Sequence, residues 1–201
     1  MKIRIHSFAD VDRSGKVRWT ALELGLEVEE ARMRPGEHKQ PGYLAVNPYG
    51  QIPAAQIDGA AMIESSAICR SLADRVSDPA LVPSDPEALA AYHQWASVAT
   101  ETLEYPSVMV YLAKQKFVDK RFGELLAPSF EAKLGAAVER LPRGDFLVPG
   151  QFTLADIFMS YSLRLALQGE VITFDDVAAY LEPLMARPAA KASNFFASIE
   201  G

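Results

Sequence analysis

The sequence predicts an α/β domain followed by an all-helical domain, on three observations. Alternating strand patterns are confined to the first third of the chain, at Lys2–Phe8 and on both sides of Asp58-Gly59. A proline-rich stretch follows at residues 79–86. Beyond it the apolar spacing is helical throughout. The predicted boundaries are residues 1–77 for the α/β domain, 78–86 for the linker and 87–201 for the helical domain.

Within the first domain the patterns alternate between strand and helix. The strand at Lys2–Phe8 is followed by a helix at Lys16–Leu26, where Gly25 is a natural stop. "EVEEARM" reads as a second strand, and Asp58-Gly59 joins two short strands as a hairpin. A helix with an apolar stripe occupies Ser65–Val76. The order predicts a compact unit near the lower end of domain size.

Four helices account for the second domain. The first, "EALAAYHQWASVATETLEYPSVMVYLAKQKF", is expected to kink at Pro106. The others are "PSFEAKLGAAVERL", "TLADIFMSYSLRLAL" and "VAAYLEPLMAR". The third is apolar nearly all round, which predicts a buried helix. Thr153 and Asp156 have the spacing of a capping box, with Asp in place of the usual Glu, and their predicted role is structural.

Composition narrows the class of protein. The chain has 201 residues, 49% hydrophobic and 23% charged, with a net charge of −6. An acidic chain without a basic field argues against a nucleic-acid partner. No apolar run reaches transmembrane length, and the scattered histidines form no metal-type cluster. The one cysteine, Cys69, suggests a reducing compartment and a buried apolar role, so we expect a cytoplasmic protein without metal or membrane partner.

Several motifs in a fixed order carry a resemblance to a known family. They are Asn47-Pro48-x-Gly50-x-Ile52-Pro53, Asp58-Gly59, Glu64-Ser65-x-Ala67-Ile68 and, downstream, Thr153-Leu154-Ala155-Asp156-Ile157. In this order the chain resembles the cytosolic glutathione S-transferases, and "GKVRWTALELGLEVE" is similar to bacterial members. The resemblance spans nearly the whole chain. It implies a thioredoxin-like domain followed by a helical domain, a homodimer, and glutathione as co-substrate.

The resemblance also implies a glutathione site. The family carries a cis peptide bond at the position of Pro53, which would turn the backbone of Ile52 toward a peptide ligand. Ser65 is expected to cap its helix, where the γ-glutamyl carboxylate docks, and Glu64 would take the ammonium group. Lys39 and Gln40 would hold the glycine end. Without the resemblance, the residues favour a trans proline that starts an edge strand and an ordinary helix cap without a ligand.

The thiolate-stabilising group is expected near the start of the first helix. No Tyr or Cys lies between Lys2 and Trp19, so the available hydroxyls are Ser7 and Ser14. The pair Arg13-Ser14 resembles the Arg-Ser pair of bacterial members, and we predict Ser14 as the donor. A plain helix cap is the alternative. Counting back from Val17 in the register of other classes gives Val11, which has no donor group.

The electrophile pocket is expected to include Tyr105, Met109 and Tyr111, although such residues at helical spacing also suit a core. His93 and Trp95 suit packing or a dimer contact. The implied reaction is attack of the glutathione thiolate on a small electrophile, as in detoxification. A glutathione-dependent isomerase or dehalogenase on the same fold is one alternative. A non-catalytic binding or regulatory protein is the other.

Overall fold

The structure, a computed structural model, describes residues 1–8, 12–76 and 81–199. It forms two compact units. The first comprises residues 1–79 together with 187–200, and the second comprises residues 80–186. Among the described residues, no helix is both long and apolar enough to cross a bilayer.

A four-stranded sheet organises the first unit. Its strands are β1 (Ile3–Ser7), β2 (Val28–Arg32), β3 (Ala54–Ile57) and β4 (Ala60–Ile63), in the order β2-β1-β3-β4. β1 and β2 are parallel because the helix α1 (Ser14–Glu23) connects them. The other pairs are antiparallel. In β1, Ile3 and Ile5 are buried whereas Arg4 is exposed, as the alternating pattern requires.

Three helices complete the early part of this unit and confirm the predicted thioredoxin-like arrangement. A 3₁₀ turn at Glu37–Lys39 leads into the short helix α2 (Pro41–Leu44). α3 (Ser65–Ala73) follows β4 and packs against α1. Its buried stripe includes Ile68, Cys69 and Leu72, so Cys69 is an apolar core residue.

The C-terminal segment belongs to the first unit, although the sequence boundaries place it with the helical domain. After α9 (Pro188–Ala192), the rings of Phe195 and Phe196 lie 4.9 and 5.4 Å from that of Trp19. Arg187 binds the carboxylate of Glu23 at 2.7 Å. Helical periodicity does not indicate which surface an aromatic pair near the C-terminus will cover. The sequence analysis therefore did not predict that Phe195 and Phe196 pack on Trp19.

The regular secondary structure in the described part of the second unit is helical, apart from an isolated bridge between Val148 and Gln151. The helices are α4 (Pro86–Ser97), a π-helix (Val98–Leu103), α5 (Glu104–Lys114), α6 (Lys120–Val138), α7 (Leu154–Gln168) and α8 (Phe174–Met185). α7 is buried over most of its length, as predicted.

The first helical run is continuous over residues 86–114, with the π-helix directly before α5; Pro106, which was predicted to kink the run, lies in the first turn of α5. The predicted start of the second helix at Pro128 is wrong. α6 begins at Lys120, eight residues before Pro128, which lies inside the helix. Asp119 starts the helix by accepting a hydrogen bond from the N–H of Arg121 at 3.0 Å.

The predicted capping box is present at the start of α7. The N–H of Thr153 donates to the Asp156 carboxylate at 2.8 Å. The same carboxylate accepts from the N–H of Leu147 at 2.9 Å and from the hydroxyl of Tyr180 at 3.0 Å. Burial raises the pKa of Asp156, although these hydrogen bonds oppose the shift. The residue therefore joins three parts of the second unit and has the structural role that was predicted.

Candidate functional site

The strand register brings the predicted glutathione-binding residues to one edge of the sheet. In the antiparallel pair β3–β4, Ala54 faces Ile63, so the preceding Pro53 lies beside Glu64. In the pair β1–β3, His6 faces Ala54, so the chain leaving β1 runs past Ile52 and Pro53. The end of β1, the start of β3 and the start of α3 therefore meet at this edge, which we call the site edge.

A hydrogen-bonded turn fixes the chain as it enters the site edge. The hydroxyl of Tyr43 and the side-chain amide of Asn47 both donate to the carbonyl of Gln51, at 2.6 and 2.8 Å. Gly50 adopts φ +57°, and a Cβ there would lie 2.9 Å from the carbonyl oxygen of His38. The ammonium of Lys39 donates to the carbonyl of Gly50 at 2.8 Å. Sequence reasoning recognised the turn but missed Tyr43 as its main support.

The peptide groups of Ile52 remain open at this edge. The Ile52–Pro53 bond is cis, as the resemblance implied. Across the described residues, no hydrogen bond uses the N–H or the carbonyl of Ile52. Its side chain is buried with Tyr43 and Ala54, which anchors the residue while its backbone stays unpaired. An extended ligand can pair with such a backbone as an added strand does.

α3 begins in a way that the sequence did not predict. Ser65 is the first residue of the helix and not its cap. The cap position is Glu64, at φ +66° and ψ 110°, and it makes no side-chain capping bond. A non-glycine residue in this conformation is strained by about 1–3 kcal/mol, a cost typical of functional sites.

The first turn of α3 therefore keeps its donors available. None of the hydrogen bonds among the described residues uses the N–H of Ser65, Ser66 or Ala67. The hydroxyl of Ser65 and the exposed carboxylate of Glu64 also have no partner in that part of the chain. Free N–H groups at a helix start attract an anion, and a carboxylate beside them attracts a cation.

Ser14 occupies a different environment from the one expected of a thiolate donor. It is the first residue of α1 rather than its cap, and it is fully buried. The guanidinium of Arg18 approaches its hydroxyl at 3.5 Å and donates to Glu30 at 2.6 Å. Glu30 also accepts from the hydroxyl of Ser7 at 2.6 Å. The hydroxyl of Ser14 therefore lies beside a charged network of Arg18, Glu30 and Ser7. The sequence pattern did not predict this network.

Burial alone would raise the pKa of Glu30. Hydrogen bonds from Arg18 and Ser7, together with the charge of Arg18, outweigh it and lower the pKa below its ordinary value of 4.5. Glu30 is thus ionised at neutral pH and holds the Arg18 guanidinium in place beneath the start of α1.

Asp12 organises the approach to α1. Its carboxylate accepts from the N–H of Phe8 at 2.7 Å and from the N–H of Ser14 at 2.6 Å. It thus links the end of β1 to the first turn of α1. Val11, the alternative catalytic position, lies outside the described residues. An Asp four residues before the predicted helix at Lys16–Leu26 was the signal that could have found this contact.

The remaining predicted residues stand as follows. Gln40 is exposed just before α2, close in sequence to Lys39. Tyr105, Met109 and Tyr111 lie on α5 in the second unit. Tyr105 is 60% exposed, and the other two are partly buried. Their part in an electrophile pocket remains a prediction. No group of side chains in the described ranges could hold a metal ion.

Comparison with known proteins identifies the family. The sequence profile of the glutathione S-transferase amino-terminal domain matches residues 13–75. Glutathione S-transferase F12 of Arabidopsis thaliana is 31% identical over 147 residues, and the alignment covers 68% of each chain. The chain belongs to the glutathione S-transferase family.

Two further comparisons bear on the fold and on the range of relatives. The theta-class glutathione S-transferase of Xanthomonas axonopodis pv. citri, solved with glutathione bound, superposes with a TM-score of 0.79 at 23% identity. The superposition covers 95% of this chain and 96% of the other, so the whole fold is shared. Maleylacetoacetate isomerase of Pseudomonas aeruginosa is 54% identical over a shorter stretch of 89 residues, 42% of each chain.

Proposed function

We propose that the chain binds glutathione at the site edge and catalyses attack of its thiolate on a small electrophile. The observation that carries the proposal is the coincidence of two open backbone features at one edge. These are the unpaired peptide groups of Ile52 and the uncapped start of α3. Together they offer a strand partner, an anion site and, at Glu64, a carboxylate for an ammonium group.

Each end of glutathione has a proposed partner. The γ-glutamyl carboxylate binds the N–H groups at the start of α3 and the hydroxyl of Ser65, while the ammonium binds Glu64. The peptide backbone pairs with Ile52, beside Pro53. Lys39 has two ammonium protons beyond the one given to Gly50, and with Gln40 it holds the glycine end.

A thermal melt with and without millimolar glutathione tests this binding. A ligand that binds only the folded state raises the unfolding midpoint. We expect a clear rise for the native protein. If the unfolding midpoint stays unchanged at glutathione concentrations far above ordinary dissociation constants, the chain does not bind glutathione. That result would favour a binding or regulatory protein that keeps the fold without this ligand.

The reaction needs a group that favours the thiolate, because a free thiol has a pKa of about 8.5. Ser14 is the proposed donor, and its burial sets a condition: its hydroxyl must become accessible before it can meet a sulfur atom. The variant Ser14→Ala decides the point. If the hydroxyl donates, turnover falls by about a hundredfold while glutathione affinity is kept. If Ser14 only packs, folding stability changes and turnover does not.

A glutathione-dependent isomerase is the second candidate. The observation in its favour is the 54% identity with maleylacetoacetate isomerase over 89 residues. An isomerase uses glutathione without consuming it, whereas a transferase consumes one glutathione for each product. Product formation at substoichiometric glutathione therefore separates the two. Release of halide from a halogenated substrate would instead indicate a dehalogenase.

We also infer a homodimer. Tyr49 is 68% exposed although it sits in the hydrogen-bonded turn before Ile52, and its own N–H is fixed by Asn47 at 3.1 Å. The second unit has a cavity of about 540 Å³ whose lining includes Trp95, Val98 and Ala137. A rigid aromatic side chain and an apolar recess suit a symmetric pairing in which each copy supplies both. Sedimentation of the native protein and of Tyr49→Ser tests it, because only the variant should be monomeric.

A further inference from the structure

Three exposed large apolar side chains of the second unit lie within nine residues of one another, at the connection between α5 and α6. Phe117, Phe122 and Leu125 expose 74%, 55% and 77% of their surface. They belong to the α5–α6 tip, which we define as residues 114–126: the end of α5, the turn after it and the start of α6. Phe122 and Leu125 are three residues apart on α6 and therefore share one face of the helix.

Charge separates this tip from the rest of the chain. It carries four cationic and two acidic side chains, a net charge of +2. The chain as a whole carries −6, so the remainder carries −6 − (+2) = −8. The cations are Lys114, Lys116, Lys120 and Arg121, and the acids are Asp119 and Glu124.

Most of these charges are paired, but weakly. Lys120 lies 3.2 Å from Glu124, and Arg121 lies 2.6 Å from Asp119, all on exposed side chains. Lys114 pairs with Glu170, also at the surface. Lys116 is exposed and has no ion-pair partner among the residues that the structure describes. Exposed pairs of this kind contribute little, so the cations can turn to another anionic surface at low cost.

We propose that the α5–α6 tip binds the surface of an anionic membrane. Phe117, Phe122 and Leu125 enter the boundary between headgroups and acyl chains, and the surrounding lysines and arginine lie at the headgroups. Separate apolar side chains with cations between them are the pattern that interfacial binding needs. Large apolar side chains that are more than half exposed and close in sequence suit an interaction surface.

A bilayer explains the arrangement better than an acidic protein does. The three side chains project from a turn and the first turns of a helix, and a bilayer accepts them without a shaped recess. The remainder, with a charge of −8, is repelled by the same surface, so the tip is the segment that the surface would attract. Binding would be peripheral, reversible and sensitive to salt.

Vesicle flotation tests the proposal with the full-length protein. The probes are vesicles of phosphatidylcholine alone and of phosphatidylcholine with roughly one quarter phosphatidylserine. We expect the native protein to float with the anionic vesicles at low salt, to be released at about 0.5 M salt, and to ignore the neutral ones. Failure to float with anionic vesicles overturns the proposal.

Variants locate the binding surface. The triple variant Phe117→Ser, Phe122→Ser, Leu125→Ser should lose at least about tenfold in vesicle affinity. It should keep its circular dichroism spectrum, because the three side chains are exposed. Lys116→Glu should weaken binding, whereas Lys191→Glu, an equal charge change at an exposed residue of α9, should not. Equal binding by the triple variant, or equal effects of the two lysine variants, contradicts the tip as the contact.

Sedimentation without vesicles tests the alternative that the α5–α6 tip binds a second copy of the chain. We expect the native protein and the triple variant to have the same oligomeric state. A smaller assembly for the triple variant would show that the tip is covered by another copy, and the membrane proposal would be rejected.

Discussion

The starts of α3 and α7 solve the same chemical problem in opposite ways. Both helices begin with backbone N–H groups that no helical carbonyl can reach. At α7, the Asp156 carboxylate accepts from the N–H of Thr153, and the N–H of Leu154 donates to the carbonyl of Leu81, so the start is closed. At α3, Glu64 takes a strained backbone and makes no side-chain capping bond, so the donors stay open. A closed helix start stabilises the fold, and an open one is available to a ligand.

The largest expected effect concerns the closed start. Asp156→Ala leaves four donors without this acceptor, two of them buried backbone N–H groups, and should lower the free energy of unfolding by about 3 kcal/mol. Urea unfolding measures it. The matched control is Asp176→Ala at α8, where the same motif is exposed and Thr173 donates to Asp176 at 2.8 Å. That variant should lose about 1 kcal/mol or less. Equal losses would show that burial does not set the difference.

At the open start, charge should affect ligand affinity rather than stability. Glu64→Gln removes the carboxylate proposed to bind the ammonium of glutathione, so affinity should fall about tenfold. Unfolding should be unchanged because Glu64 has no partner among the described residues. Glu87→Gln, at the exposed first turn of α4, is the control and should leave affinity unaltered. A loss of stability without loss of affinity would contradict the assignment.

Replacing Glu64 at the cap position by glycine should measure the backbone strain of this residue directly. Glycine adopts φ +66° without steric cost, and the relief exceeds its extra entropy loss on folding. Glu64→Gly should therefore raise the free energy of unfolding by about 1 kcal/mol while glutathione binding weakens. Urea unfolding and a binding titration on the same sample measure the two changes. A destabilised variant would mean that Glu64 is not strained in solution.

The smallest expected effect is a difference in pH dependence between the two capping carboxylates. Burial raises the pKa of Asp156, so its contribution is greatest below its ordinary pKa of 3.8 and declines as pH rises through the folded value. Hydrogen bonds from Thr173 lower the pKa of Asp176, so its contribution is present above 3.8 and is lost on acidification. Against their Asn variants, the two residues should therefore show stability differences of opposite slope in mildly acidic solution.

The sequence predicts most of the fold because the fold depends on local patterns. The hairpin at Asp58-Gly59, the buried α7 and the Thr153–Asp156 box follow from spacing and turn chemistry, and the structure contains each. The order of motifs also predicts the family and, through the resemblance to it, the cis peptide bond before Pro53. None of this required knowledge of contacts between distant residues.

What the sequence does not predict depends on such distant contacts. Arg18 of α1 reaches Glu30 of β2, and the Phe195 ring reaches Trp19 from the far end of the chain. The first of these contacts brings the Arg18 guanidinium to 3.5 Å from the buried hydroxyl of Ser14. Glu64 is a different case, since no propensity rule predicts a glutamate at positive φ. Only the neighbouring strands and helix impose that conformation.

The most direct test of the open helix start is a calorimetric titration with glutathione of the native protein, Ser65→Ala and Ser66→Ala. Both serines lie in the first turn of α3, but only Ser65 is proposed to bind the ligand carboxylate with its hydroxyl. The account predicts binding by the native protein, an affinity about tenfold weaker for Ser65→Ala and little change for Ser66→Ala. Equal affinities for all three, or no binding by any, would contradict it.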